Sequence, residues 1–223
     1  DAVSGNTSDL RLKSPPVVAE GKVFALGAEL DVVALDASTG KKIWQRSVMS
    51  DDKKPNPSLT RLIGFRELSV DIEDGFGGGI AYDDGRVFVT TGFGEIRALS
   101  AETGEVIWRI NTIIDRTRAY TITDAPRVAN GRVFIGNGGG EFGVRGYVSA
   151  YDTKTGDLDW RFFTVPGDPS KPFEHSEMET AASTWKGGEW WKIGGGGTVW
   201  NSIVYDADTD TVFLGVGNGS PWT

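Results

Sequence analysis

The chain has 223 residues, with 23 Lys+Arg against 31 Asp+Glu and a formal net charge of −8. That balance argues against nucleic acid as its main partner, because phosphate binding runs on clustered cations. With no Cys it has no disulfide, thiolate metal site or Cys nucleophile, and no run approaches the ~20 apolar residues of a membrane-spanning helix.

From Asp1 the chain shows no signal-peptide pattern, which reads as a mature product or a cut piece. The first predicted hairpin is Val17-Val-Ala-Glu-Gly21-Lys-Val-Phe-Ala, turning at Gly21. A second strand pair follows, Ala34-Leu-Asp-Ala-Ser-Thr-Gly40-Lys-Lys-Ile-Trp44, with a four-residue turn ending in Thr-Gly and a last strand closing at Trp. Residues 51 to 78 read as irregular and end in Gly77-Gly-Gly79. Both patterns then return. Ile80-Ala-Tyr-Asp-Asp-Gly85-Arg-Val-Phe-Val precedes Ala98-Leu-Ser-Ala-Glu-Thr-Gly104-Glu-Val-Ile-Trp108. Pro126-Arg-Val-Ala-Asn-Gly131-Arg-Val-Phe-Ile precedes Ala150-Tyr-Asp-Thr-Lys-Thr-Gly156-Asp-Leu-Asp-Trp160. A repeat of about four antiparallel strands is a propeller blade, and a Trp is large enough to wedge between neighbouring blades.

The third unit departs from the repeat. Gly21 to Gly40 and Gly85 to Gly104 each span 19 positions, whereas Gly131 to Gly156 spans 25. The extra residues fall in Gly136-Asn-Gly-Gly-Gly-Glu-Phe-Gly-Val-Arg-Gly146, a candidate binding loop because glycine lets backbone approach a ligand. Glu141 there, and Asn218 at the matching stage of the next unit, are oxygen donors suited to a hard cation or else turn residues. A long insert, about 164 to 197, contains a short predicted helix from Glu174 to Trp185 and the run Gly194 to Gly197, read as flexible or closely packed. The lone histidine, His175, reads as part of a solvated helix face, and Arg116-Thr-Arg118 as ordinary surface. A fourth unit starts at Trp200. Its Asp206-Ala-Asp-Thr-Asp210 reads as a hairpin turn, because a calcium loop would need Gly and Glu where Thr211 and Gly217 stand.

Several stretches carry a family resemblance. Tyr120-Thr-Ile-Thr-Asp-Ala-Pro-Arg, Ile135 to Tyr147, Phe163-Thr-Val-Pro-Gly-Asp-Pro-Ser-Lys-Pro-Phe-Glu174, Gly194 to Trp200 and Gly215-Val-Gly-Asn-Gly-Ser-Pro-Trp222 resemble the quinoprotein alcohol dehydrogenases. The resemblance implies an all-β fold, an eight-bladed propeller of the quinone-repeat type, with about three and a half blades in this chain. It implies pyrroloquinoline quinone and calcium or a lanthanide as cofactors, and oxidation of alcohols by hydride transfer to the metal-bound quinone. It implies Thr123, Gly138, Gly139, Gly140, Thr198 and Trp200 as cofactor-binding residues, with Trp200 beneath the quinone plane, and Glu141 and Asn218 as metal ligands. An alcohol substrate, a cytochrome c as electron acceptor and a periplasmic location follow from the same resemblance.

The departures are equally specific. Where the family carries a vicinal Cys pair, near Asp71 to Gly79, this chain has no Cys. The family's catalytic Asp lies beyond the Asn-Gly-Ser-Pro-Trp motif, so no catalytic residue is assigned here and the chain alone is expected to be inactive. Trp200 is followed by Asn201 where the family has Asp. The first part, 1–112, also resembles the propeller lipoprotein of the outer-membrane β-barrel assembly machinery, and 113–223 the dehydrogenase blades. A non-catalytic scaffold in outer-membrane protein assembly is therefore the alternative function. An open arc of blades has free edges, so the remainder of the propeller or another copy is the expected partner.

Overall fold

A computed structural model describes residues 14–27, 30–49, 77–92 and 94–220. Three four-stranded antiparallel sheets follow one another, each in simple sequential order. The first holds β1 (Val17–Ala19), β2 (Lys22–Leu26), β3 (Asp31–Asp36) and β4 (Lys42–Ser47). The second holds β5 (Gly77–Asp83), β6 (Arg86–Thr91), β7 (Glu95–Ser100) and β8 (Val106–Asn111). The third holds β9 (Arg127–Ala129), β10 (Arg132–Gly136), β11 (Tyr147–Asp152) and β12 (Leu158–Phe163). Helix α1 (Ser176–Thr184) lies in the insert, and β13 (Asn201–Asp206) pairs with β14 (Thr211–Gly215). Three blades and the first hairpin of a fourth are thus present, as the repeats imply.

The turns explain why the repeat looks as it does. Glu20-Gly21, Asp84-Gly85 and Asn130-Gly131 all have positive φ at both positions, the two-residue hairpin geometry that matches strand twist. In the Thr-Gly turns, Asp36 Oδ1 accepts from the Ser38 and Thr39 amides, and Asp152 Oδ1 from those of Lys154 and Thr155. These bonds to the charged form hold both carboxyls below the usual carboxylate range; at Asp36 the Thr39 hydroxyl makes the largest contribution.

Each blade carries the same row across its sheet. Ala34 lies opposite both Phe24 and Trp44, Ala98 opposite Phe88 and Trp108, and Ala150 opposite Phe134 and Trp160. The small central residue lets the two rings meet over it, with centroids 6.0, 5.8 and 5.9 Å apart. Trp also reaches the next blade. Trp44 Nε1 donates to Ala101 O and Trp108 Nε1 to Thr153 O, both at 3.1 Å. The rings lie on the glycines of the next Thr-Gly turns, so that a Cβ at Gly104 would sit 2.6 Å from Trp44 and one at Gly156 2.9 Å from Trp108. All three tryptophans stand at the third position of the last strand, which continues beyond them, rather than closing it. Mid-strand placement is what brings the indole level with the neighbouring turn.

The cores lie between blades. Phe24, Leu26, Val32 and Val48 pack with Ile80, Val87, Val89 and Leu99, while Phe88 and Ile96 pack with Ile122, Val133 and Ile135. Gly77-Gly-Gly79, expected to end an irregular stretch, instead opens β5 with a register shift. A Cβ on Gly78 would strike Asp124 O and lie 2.5 Å from Thr90 Oγ1, so only glycine admits the neighbouring blade there. Among the described residues no helix is long and apolar enough to cross a membrane. Asp71–Phe76, most of the stretch where the resemblance sets the Cys pair, lies outside the described residues.

Candidate functional site

In an antiparallel meander, the loops joining second to third strands and those joining successive blades share one end of the molecule. At that end lie the loop 137–146 after β10, the segments 112–126 and 164–200, and the stretch 216–220 after β14. They enclose a cleft of about 390 Å³ lined by Thr121, Thr123, Gly138, Gly139, Gly140, Glu141, Thr198, Trp200, Gly217 and Asn218. All eight site residues named from the sequence stand in this one lining. Thr121 and Gly217 complete it and were not singled out by the repeats.

Asn137 closes the neck of the glycine loop. It is buried, its Nδ2 donates to Gly138 O at 3.1 Å, and its Oδ1 accepts from the Tyr147 amide at 2.8 Å. Gly138 N bonds Thr121 O at 2.8 Å, which ties the loop to the segment of Thr121 and Thr123 between β8 and β9. The 3-10 turn Gly140–Phe142 then presents Glu141 at an exposed position. A Cβ on Gly138 would lie 2.7 Å from Thr121 Oγ1, one on Gly140 3.2 Å from Thr198 Oγ1, and one on Gly139, at φ 94°, would strike Ala119 O. At Gly138 and Gly139 the wall is therefore bare backbone by necessity.

Leading into Thr198, just outside the lining, is the run Gly194–Gly197, all at positive φ. This run is closely packed: Gly196 N bonds Val144 O at 3.0 Å, Gly146 N bonds Gly196 O at 2.7 Å, and Gly197 N bonds Asn218 O at 2.8 Å. Thr198 is buried, while Trp200 is 54% exposed and offers an open indole face. Gly217 lies beneath the indole, where a Cβ would be 3.3 Å from Nε1.

Arginines fasten the insert. Arg145 forms a two-bond pair with Glu174, at 2.7 and 2.9 Å, donates from Nε to Val165 O and lies 3.9 Å from the Phe163 ring centroid. Those bonds from the guanidinium hold the Glu174 carboxyl below its usual range. His175 does not sit on a solvated helix face. It precedes α1 and stacks on Phe162 with centroids 4.7 Å apart, because the insert folds back over β12. Burial pushes the Tyr147 phenol up, leaving it a neutral donor to Thr112 O at 2.8 Å. In the fourth unit, Asp206 accepts from the Asp208 amide and the Thr209 hydroxyl, as a hairpin turn requires. No cluster of three His, Asp or Glu able to hold a metal occurs among the described residues.

The family described as PQQ, glucose/ethanol/alcohol dehydrogenase, beta-propeller domain, matches residues 2–222. The quinohemoprotein alcohol dehydrogenase ADH IIB of Pseudomonas putida is 44% identical over 211 residues, 95% of this chain and 29% of that protein. The crystal structure of quinohemoprotein alcohol dehydrogenase from Comamonas testosteroni superposes with a TM-score of 0.81 at 42% identity, covering 96% of this chain and 30% of that one. A europium-containing methanol dehydrogenase gives 0.71 at 31% identity, over 93% and 35% of the two chains. The chain therefore spans somewhat under a third of the length of such relatives as the first two.

Proposed function

The chain belongs to the β-propeller family of PQQ-type glucose/ethanol/alcohol dehydrogenases, and on that premise we propose that it forms the cofactor-cleft portion of a pyrroloquinoline quinone-dependent alcohol dehydrogenase. The observation that carries this reading is the gathering of Thr123, Gly138–Glu141, Thr198, Trp200 and Asn218 in a single cleft. Its volume, about 390 Å³, lies within the range of small-molecule sites.

The cleft's chemistry fits a flat anionic cofactor and a hard cation. Trp200 supplies a stacking face. Gly138–Gly140 present bare backbone that a ring edge can approach closely. Thr123 and Thr198 supply hydroxyls. Glu141 and Asn218 supply a carboxylate and an amide oxygen, the donors that calcium or a lanthanide prefers. Two protein donors are a minority of the 6–8 oxygens calcium takes, so the cofactor itself would supply others. Held by these residues, the quinone would supply a hydride acceptor for alcohol oxidation, and a cation on Glu141 and Asn218 would supply Lewis acidity beside it.

The chain's residues hold and orient; none in the cleft is assigned as the base that takes the alcohol proton. Within this reading, 113–223 carries the cleft and 1–112 supplies generic blades. The substrate is an alcohol, the acceptor a cytochrome c, and the location the periplasm. The names of the relatives support an enzyme over a scaffold of outer-membrane assembly. The test is calorimetric titration of quinone into the full-length protein with and without calcium. Glu141→Gln, which keeps size but removes charge, should abolish the calcium-dependent part and leave metal-free stability unchanged. Binding equal to the parent would sink the reading.

A further inference from the structure

We propose that Arg118 is a positioning residue that fixes, relative to one another, the two segments carrying Glu141 and Thr198 into the cleft, an inference that rests on the cofactor reading of that cleft. Arg118 does not line the cleft; it stands behind it. Its Nη1 donates to Gly143 O at 2.7 Å and its Nη2 to Lys192 O at 2.9 Å, while Nε faces Asp115 Oδ2 at 3.5 Å. One rigid, planar group thus holds two backbone carbonyls from segments about fifty residues apart. Gly143 caps the 3-10 turn that presents Glu141, and Lys192 lies in the 3-10 turn that leads into Gly194–Gly197 and on to Thr198. The two carbonyls therefore stand at the bases of the segments that bring Glu141 and Thr198 to the cleft.

Why a brace is needed follows from the glycines of those segments. Gly139, Gly143 and Gly194–Gly197 all stand at positive φ, and glycine segments have no side chains with which to lock their own conformation. Their mutual hydrogen bonds, Gly146 N to Gly196 O and Gly196 N to Val144 O, sit just beyond the point where Arg118 grips. Asp115 in turn is fixed, accepting from the Thr117 amide and hydroxyl, so the guanidinium is aimed from the rear. Releasing the brace lets Glu141 and Thr198 drift apart while the blade cores, which are built from other residues, remain.

The experiment compares the full-length parent with Arg118→Ala, Arg118→Lys and Glu141→Gln. Quinone is titrated calorimetrically with and without calcium, and amide hydrogen exchange is read at Gly146 and Gly196. Arg118→Ala should weaken calcium-dependent quinone binding roughly tenfold, the scale at which supporting groups act on metal sites. It should speed exchange at Gly146 and Gly196, with little change in the unfolding midpoint. Arg118→Lys, which keeps the charge but not the two-pronged geometry, should recover part of both, and carries the test if the alanine variant does not fold. Unchanged exchange at the two amides in either Arg118 variant overturns the brace. So does parent-like quinone binding in Arg118→Ala where Glu141→Gln has lost it. If Glu141→Gln also binds like the parent, the cofactor reading fails instead, and the exchange arm still decides the brace.

Discussion

The two ends of the blades are built on opposite rules. At one end, the turns of the three full blades repeat: a two-residue turn with both φ positive, then an Asp- or Ser-led turn ending in Thr-Gly that, in the second and third blades, receives the previous blade's tryptophan. At the other end the loop 137–146 breaks the pattern, and around it Gly136, Gly139, Gly146, Gly194 and Gly196 stand where backbone meets backbone in and beside the cleft. A glycine in a repeated turn such as Gly21 has nothing within 4 Å of its missing Cβ and serves φ alone, whereas Gly138 would run into Thr121. Repetition therefore marks what holds the arc together, and its interruption marks what the arc holds.

If that division is right, damage at the blade interfaces should be costly and should leave the cleft's chemistry alone. Phe88 is fully buried between the second and third blades. Phe88→Ala should lower stability by about 3–5 kcal/mol in urea unfolding; a loss under about 1 kcal/mol would mean that the interface is not what holds the arc. Next in size is the tryptophan contact. Trp108→Ala should cost about 2–4 kcal/mol, from lost packing and a carbonyl left without its donor. Trp160, 38% exposed and with no indole hydrogen bond among the described residues, should cost clearly less in the same chain. Equal losses would erase the distinction between docked and undocked indoles.

The cleft should respond the other way round. Gly140 has no positive φ, and a Cβ there would press on Thr198 Oγ1 at 3.2 Å. Gly140→Ala should therefore fold, with stability changed by less than about 1 kcal/mol, and bind quinone roughly tenfold more weakly by calorimetry. A variant that binds normally would show that the backbone there is not approached. The smallest effect concerns the tie across the insert. Glu174 is held below its ordinary 4.5 by Arg145, so the folded state binds its proton less readily than the unfolded chain. Its contribution is present above pH 4.5 and is lost as pH falls through the lower folded value. The pair is partly exposed, so the gap in melting temperature between parent and Glu174→Gln should correspond to less than about 1 kcal/mol. The gap should be full at neutral pH and close in acid. A gap that widens in acid would contradict the sign.

The repeated end was open to inspection in the sequence because turn geometry restricts residue choice locally: Asn130-Gly131 and Asp152 to Gly156 announce themselves within a few positions. The cleft was open only through the run Gly136 to Gly146 breaking the period, and through long motifs shared with a known family. What stayed hidden depends on distant partners. Arg118 looks like plain surface charge until Gly143 and Lys192 fold against it. His175 looks solvated until the insert brings Phe162 beneath it. The strand at Gly77 is invisible to propensity, since its glycines answer to Asp124 of the next blade.

The indoles of the first two blades dock forward, onto turns made later in the chain, and this has a consequence for synthesis on the ribosome. Trp44 bonds a carbonyl 57 residues downstream and Trp108 one 45 residues downstream. At about 5–20 residues per second, the carbonyl for Trp44 is made roughly 3–11 s after the indole itself. Each blade thus emerges with a sticky side that only its successor can cover. Nascent chains should be at their most vulnerable to misassociation during those seconds, and slowing elongation within residues 45–101 should lengthen that window for the first blade more than slowing it anywhere else.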